Sequence, residues 1–264
     1  MVQLAVHQWP AVADAGAPPP LALLVHGIAG WWQTWWRVGP ALAGRGWRVV
    51  AVDLRGHGAS SRIEAPVTRE QLAFDLAETI EALEVLRFDV AIGHSLGAAA
   101  VQELAHGWPE LVGRIVLEDP PGQDRTDDLS YQTHLADEVR AAMETPEAEI
   151  ERTMRENPSW LREDAEQNVE GQRLCDINGI LASLRAGMGS RVPELAPILT
   201  MPALYLLATE DRSAIRGEAR RDLIAGVPAG STVLEIESGH TIHRDRFDEY
   251  IRVVTGWLAE TERT

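Results

Sequence analysis

Five residues constrain this chain more than any others. Gly93-His94-Ser95-Leu96-Gly97 sits between the apolar run "DVAI" and the helix-like stretch "LGAAAVQELAHGW". A strand that turns sharply into a helix through a serine flanked by two glycines fits few architectures. The glycines let backbone pack closely around the turn. The serine hydroxyl is then held at the C-terminal edge of a sheet, at a helix N-terminus. The unpaired N–H groups there can receive developing negative charge. A serine so placed reads as a nucleophile.

The rest of the chain supplies the sheet. "LALLVHG" (21–27), "WRVVAVDLRG" (47–56), "DVAIGHS" (89–95) and "RIVLEDP" (114–120) are nearly continuous in Val, Ile and Leu, as parallel strands covered on both faces are. Between them, 68–86 carries Leu72, Leu76, Ile80 and Leu83 at helical spacing behind Thr68, a candidate N-cap, and 96–108 is a second helical stretch. The alternation predicts an α/β fold: a doubly wound, mostly parallel sheet of about 7–8 strands. It stops at Asp119-Pro120-Pro121 and resumes at "PALYLLAT" (202–209), followed by a helix over about 213–225, a strand over 231–237 and a helix over 244–260. Residues 121–195 show helix signals only, such as Thr145-Pro146-Glu147. They hold 16 acids against 8 arginines, half of the formal net charge of −16. The expected organisation is a core of 1–120 and 196–264 with 121–195 as a helical cap.

A serine hydroxyl needs a base, and the base needs an orienting acid. The expected chain order is Ser, acid, His. His240, in "ESGHTIH", follows a predicted strand and is the preferred base, with His243 the weaker candidate. For the acid, Asp211 after "LYLLAT" is preferred on spacing and order, and Asp119 after "IVLE" is the alternative. Both follow strand C-termini, where ligand and catalytic groups collect. Glu118 and Glu210 are adjacent alternatives.

Composition narrows the chemistry. A net charge of −16 argues against nucleic-acid and anionic-membrane partners. All 24 basic residues are arginine, so Schiff-base chemistry through lysine is excluded. Cys175 stands alone, which permits no internal disulfide and fits a reducing compartment. No basic-then-apolar leader and no run of about 18 apolar residues is present. The expectation is a cytoplasmic monomer or homodimer acting on a small molecule, with no membrane or nucleic-acid partner.

"LVHG", "VVAVDLRGHGASS", "IGHSLGA", "LLATED" and "SGH", in that order, resemble the α/β-hydrolase superfamily in its capped esterase- and lactonase-like branch. The resemblance covers nearly the whole chain. It implies an oxyanion hole from the backbone N–H groups of Ile28 and Leu96, with Asp211 as the late acid and His240 as the histidine. "RGHG", Arg55 to Gly58, is a signature of the loop after a strand and reads as mainly structural. The family often has G-x-D where this chain has Thr209-Glu210-Asp211, and some members take the acid after the earlier strand, which keeps Asp119 open. Serine at 95 argues against the aspartate nucleophile of epoxide hydrolases and dehalogenases.

The implied activity is hydrolysis of a largely apolar ester or lactone through an acyl-enzyme, with no metal or cofactor. The same triad serves carbon–carbon bond hydrolases, acyltransferases, hydroxynitrile lyases and cofactor-free peroxidases, and the fold also serves small-molecule receptors. Candidate substrate-binding residues are Trp31, Trp32, His94, Tyr131, Trp160 and Met188. Trp31 and Trp32 lie in "HGIAGWWQTWW", just past the oxyanion donor, where relatives carry small or polar residues. One of them is a candidate pocket wall, with plain packing under the cap as the alternative. Trp35 falls where relatives pack a tryptophan against the core.

Overall fold

Strands form where Val, Ile, Leu and Ala crowd into runs of four or five residues. The computed structural model describes residues 2–12, 18–122 and 127–262. Its strands are β1 (Val6–Trp9), β2 (Leu21–Val25), β3 (Arg48–Val52), β4 (Val90–His94), β5 (Ile115–Glu118), β6 (Ala203–Leu207) and β7 (Thr232–Glu235). They make one seven-stranded sheet in the order β1-β3-β2-β4-β5-β6-β7. Every pairing is parallel except β1 with β3. The doubly wound, mostly parallel sheet expected from the sequence is therefore present.

Successive side chains on a strand point to opposite faces, so each central strand feeds two cores. Leu23, Val25, Val50, Val52 and Ala91 pack on one side, with α2 (Arg69–Ala82) and α3 (Leu96–Gly107). Ala22, Leu24, Val49, Ala51 and Ile92 pack on the other, with α1 (Val38–Ala43) and the C-terminal helix Phe247–Thr261. Each fully buried Val or Leu contributes about 1.5–3 kcal/mol by leaving water. α2 begins at the expected cap: Thr68 accepts from the Gln71 N–H, and Gln71 reaches back to the Thr68 N–H.

Between β5 and β6 lie α4 (Leu129–Glu144), α5 (Pro146–Glu156), α6 (Arg162–Leu174), α7 (Ile177–Arg185) and α8 (Val192–Leu195). The acid-rich surface of this interval is knitted by arginine. Arg162 binds Glu147, Glu151 and Glu166, and Arg152 binds Glu138, Glu149 and Glu156. α6 also packs on a 3-10 turn at Trp32–Trp35.

Two expected helices differ from the sequence reading. α9 runs Gly217–Gly226, not from 213, because the Ser213 hydroxyl and the Ala214 N–H are drawn onto the Asp119 carboxylate. The last helix is split into α10 (Ile242–Asp245) and α11 (Phe247–Thr261) around Arg246. β7 is shorter than 231–237 and half exposed, as an edge strand.

Register places the chemistry. Val25 pairs with Gly93, and His94 pairs with Glu118, which pairs with Leu206. The residues just beyond these ends, His26-Gly27, Ser95 and Asp119, therefore emerge side by side at one sheet edge.

Candidate active site

Ser95 sits at φ +50° and ψ −118°, a region that L residues avoid. Its N–H continues the ladder onto Glu118 O at 2.9 Å. The flanking glycines are required: a Cβ on Gly93 would collide with Gly97 O, and one on Gly97 with Val25 O. Among the described residues four non-glycines have positive φ, and three of them, Ala29, Ser95 and Asp119, are here. Such strain persists only where surrounding structure enforces it.

His240 Nδ1 donates to Asp119 Oδ2 at 2.6 Å. This corrects the preferred acid. Asp119 faces the histidine, whereas Asp211 is exposed on the loop after β6. The physical reason lies in how that loop runs. Residues 208–214 wrap the Asp119 carboxylate, with Ala208 N–H and Ser213 Oγ–H on Oδ1 and Ala214 N–H on Oδ2. Arg212 N–H closes a turn on Thr209 O, which carries Asp211 outward. Burial pushes the Asp119 carboxyl up, but the His240 bond and charge with the Ser213 and Ala214 donors outweigh it and hold the carboxyl below its usual range. With Nδ1 donating, His240 keeps Nε2 as an acceptor. His94, next to Ser95, donates Nε2–H to His240 O at 3.1 Å and ties the His240 loop to the Ser95 turn.

The turn after β2 is held by two neutral histidines. His26 donates Nδ1–H to Gly27 O and accepts the Leu54 N–H on Nε2. His57 donates Nδ1–H to Arg55 O and accepts the Ala29 N–H on Nε2. Burial depresses their pKa values to about 4 and about 3, so both bonds persist at neutral pH. Ala29 and Gly30 spend their N–H groups on His57 and Gly27 O. The Ile28 N–H has no partner among the described residues, and Leu96, at the first position of α3, has no intrahelical acceptor. Both residues line the cavity beside Ser95. The "RGHG" loop thus braces this turn.

A second acid–histidine pair lies directly beneath. Glu118 and His243 are fully buried neighbours of Asp119 and His240. His243 Nδ1 meets the Glu118 carboxyl at 2.8 Å, and Nε2–H donates to Thr34 O. Burial pushes the carboxyl up to about 7 and the imidazole down to about 3, both toward neutral forms. Sequence reading named both residues only as lesser alternatives for the triad; their adjacency to Asp119 and His240 was the signal.

Ser95 and His240 open into a cavity of about 520 Å³. Helices α4 to α7 and the segments joining them roof it, and Tyr131, Trp160, Met188 and His94 line it. The lining is not the apolar pocket expected: Arg152, Asn157, Asn168 and Gln172 stand among Leu135, Leu184 and Met188.

Trp31 and Trp32 are not in this wall, contrary to expectation. Trp31 donates Nε1–H to Gln167 O on α6, and Trp36 donates to Asp164 on the same helix. Trp32 stacks on His7 with centroids 3.4 Å apart. Trp35 is fully buried against His243. The indole N–H groups of Trp31 and Trp36 dock a roof helix instead of a substrate.

The docking is close because Gly171 of α6 rides on the Ile28-Ala29 turn: a Cβ there would meet Ala29 O at 2.7 Å and Trp31 Cδ1 at 3.1 Å. Gly171→Ala is expected to lift α6 off that turn and lower kcat/KM roughly 10–100-fold, since small misplacements at a reacting centre cost that much. Overpacking of about 1–3 kcal/mol is partly offset by alanine's better helix propensity. Unchanged ester kinetics would show that α6 does not position the turn.

A model of the alpha/beta hydrolase family matches residues 22–253. The pyrrolizixenacetamide deacetylase of Xenorhabdus hominickii is 26% identical over 248 residues, covering 90% of this chain and 91% of that protein. The enol-lactonase from Burkholderia xenovorans LB400 superposes with a TM-score of 0.77 at 20% identity, covering 98% and 97%. A thermophilic esterase from Thermogutta terrifontis gives 0.74 at 22% identity, covering 98% and 94%.

Proposed function

The chain belongs to the alpha/beta hydrolase family, and from that premise we propose that it is a serine hydrolase cleaving a carboxylic ester, lactone or related acyl bond. The observation that carries this reading is the 2.6 Å bond from His240 to Asp119, with His240 and Ser95 on the wall of one cavity. Ser95 Oγ attacks the carbonyl carbon as His240 Nε2 takes its proton. Asp119 holds the imidazole in the Nδ1–H tautomer and stabilises the imidazolium. The Ile28 and Leu96 N–H groups receive the oxyanion, an interaction worth about 3–4 kcal/mol per donor. The leaving oxygen departs with the proton from His240. Water, deprotonated by the same nitrogen, then releases the acyl group and restores Ser95.

The 26% identical deacetylase supports acyl transfer to water as the reaction class. The mixed polar lining favours substrates with hydrogen-bonding groups over plain alkyl esters.

A fluorophosphonate probe tests the mechanism. The native protein is expected to label at one site, found by peptide mapping at Ser95, and Ser95→Ala is expected not to label. A panel of esters, lactones, amides and vinylogous diketones then ranks the acyl group. Native protein that resists the probe, or a Ser95→Ala variant that keeps ester turnover, overturns the reading.

A further inference from the structure

We propose that Gln172 determines specificity: its side-chain amide hydrogen-bonds an amide or hydroxyl group on the acyl chain of the substrate, close to the scissile carbonyl. This rests on the serine-hydrolase reading above.

Gln172 is buried, 5% exposed, yet lines the cavity that holds Ser95 and His240. Its Oε1 is enclosed without a hydrogen-bond partner. Two other glutamines share an unbonded Oε1, but each is anchored through Nε2. Gln102 donates to Val192 O and Tyr205 Oη, and Gln167 donates to Glu163. For Gln172 neither side-chain atom has a hydrogen-bond partner among the described residues. A carboxamide oxygen withdrawn from water and left unpaired destabilises the fold that keeps it. Apolar residues already share its wall in Leu184 and Met188, so a leucine would suit the packing. A polar group retained there against stability points to a ligand that completes it.

Placement assigns the acyl side. Gly171 seats α6 on the oxyanion turn, and Gln172 is the next residue. The leaving group must lie next to His240, which protonates it. The α6 side of the oxyanion turn is left for the acyl chain. A carboxamide both donates and accepts, and an amide or hydroxyl matches it in either orientation. The acids that line the roof, Glu138 and Glu156, are both bound to Arg152 and do not compete for this position.

The test compares p-nitrophenyl N-acetylglycinate with p-nitrophenyl pentanoate, which share a leaving group and differ mainly in the acyl amide. Native protein is expected to favour the amide-bearing ester about tenfold in kcat/KM beyond the ratio of the two esters' spontaneous hydrolysis rates, the scale of one hydrogen bond whose loss leaves a buried group unpaired. Gln172→Leu, and Gln172→Met as a second variant, are expected to lose that preference. The ratio of the two rates is the readout, and the variants should melt at the same temperature or higher, because no protein hydrogen bond is lost. Equal preference in native protein and variants overturns the assignment, as does an equal loss on both esters with a lowered melting temperature. Calorimetry of the two esters with the non-turning Ser95→Ala protein reads the same preference as binding. Failure of Ser95 to take the fluorophosphonate overturns the parent reading, and the calorimetric arm still decides the role of Gln172.

Discussion

Asparagine at position 119 is expected to lower kcat about 10,000-fold, whereas Asp211→Asn leaves it within about twofold. The first number follows from tautomer control. Asp119 Oδ1 accepts from Ala208 N–H and Ser213 Oγ–H, and these donors would fix the carbonyl oxygen of an asparagine in the same place. The amide nitrogen would then face His240 Nδ1 and the Ala214 N–H, where a carboxylate oxygen had accepted from both. A donor opposite Nδ1 forces the proton to Nε2, and an imidazole with Nε2–H toward Ser95 cannot take the serine proton. The imidazolium of the transition state also loses its counter-charge. Two donors meeting at one point add a stability loss of about 1–3 kcal/mol, which denaturant titration separates from the kinetic effect. Asp211 is exposed and outside this network, so its amide should be silent. Steady-state kinetics on one ester decides the matter. A large loss in Asp211→Asn, or less than a tenfold loss in Asp119→Asn, would return the acid to the later loop.

The sheet, the turn at Ser95 and the place of His240 at the sheet edge were legible in the sequence, because each is a local pattern. Runs of Val, Ile and Leu dictate strands, Gly93 and Gly97 permit the strained Ser95, and His240 lies on the short loop after β7. The carboxylate that meets His240 was not local. Asp119 and Asp211 both follow strand ends, and only the path of residues 208–214 around Asp119 separates them. That path is set by three donors converging on one carboxylate, a tertiary fact with no periodicity. The tryptophans of "HGIAGWWQTWW" misled for a related reason. Their position beside the Ile28-Ala29 turn was legible, but the directions of the Trp31 and Trp36 indoles depend on α6, more than a hundred residues away, whose Gln167 carbonyl and Asp164 carboxylate accept from them. The polar lining was hidden likewise. Asn157, Asn168 and Gln172 look like solvated helix surface in a stretch this acidic, until the roof folds them inward.

The largest stability effect is expected beside Asp119 and His240, at Glu118 and His243. Replacing His243 by leucine should destabilise the protein by about 3–5 kcal/mol, because it strands a buried carboxyl beside a buried carboxylate. At about 2–4 °C per kcal/mol, that lowers the melting temperature by roughly 6–20 °C. The geometry allows no neutral escape without a partner. His243 Nε2 faces Thr34 O, an acceptor, so Nε2 must carry hydrogen, and the Nδ1–Glu118 contact then shares one further proton between base and acid. Without the imidazole, Glu118 keeps the backbone N–H of residue 243, with the buried Tyr250 hydroxyl close by. Asp119 next to it is held ionised by its own partners, so a charge on Glu118 would be repelled as well as desolvated. The double variant Glu118→Leu/His243→Leu removes both polar groups and should regain most of the loss, since a well-packed apolar pair can replace a buried polar one at little cost. Denaturant titrations of the four proteins in this cycle give the coupling directly. A His243→Leu loss below about 1 kcal/mol, or a double variant no more stable than the single, would mean that the pair does not support the fold. Fluorophosphonate labelling of Ser95 well below the melting temperature separates the two remaining roles. If the pair only stabilises, the folded fraction of His243→Leu labels at the native rate. If the Thr34 bond also steadies the turn that carries Ile28, labelling slows in the single variant and stays slow in the double, because both lack the imidazole that holds Thr34 O.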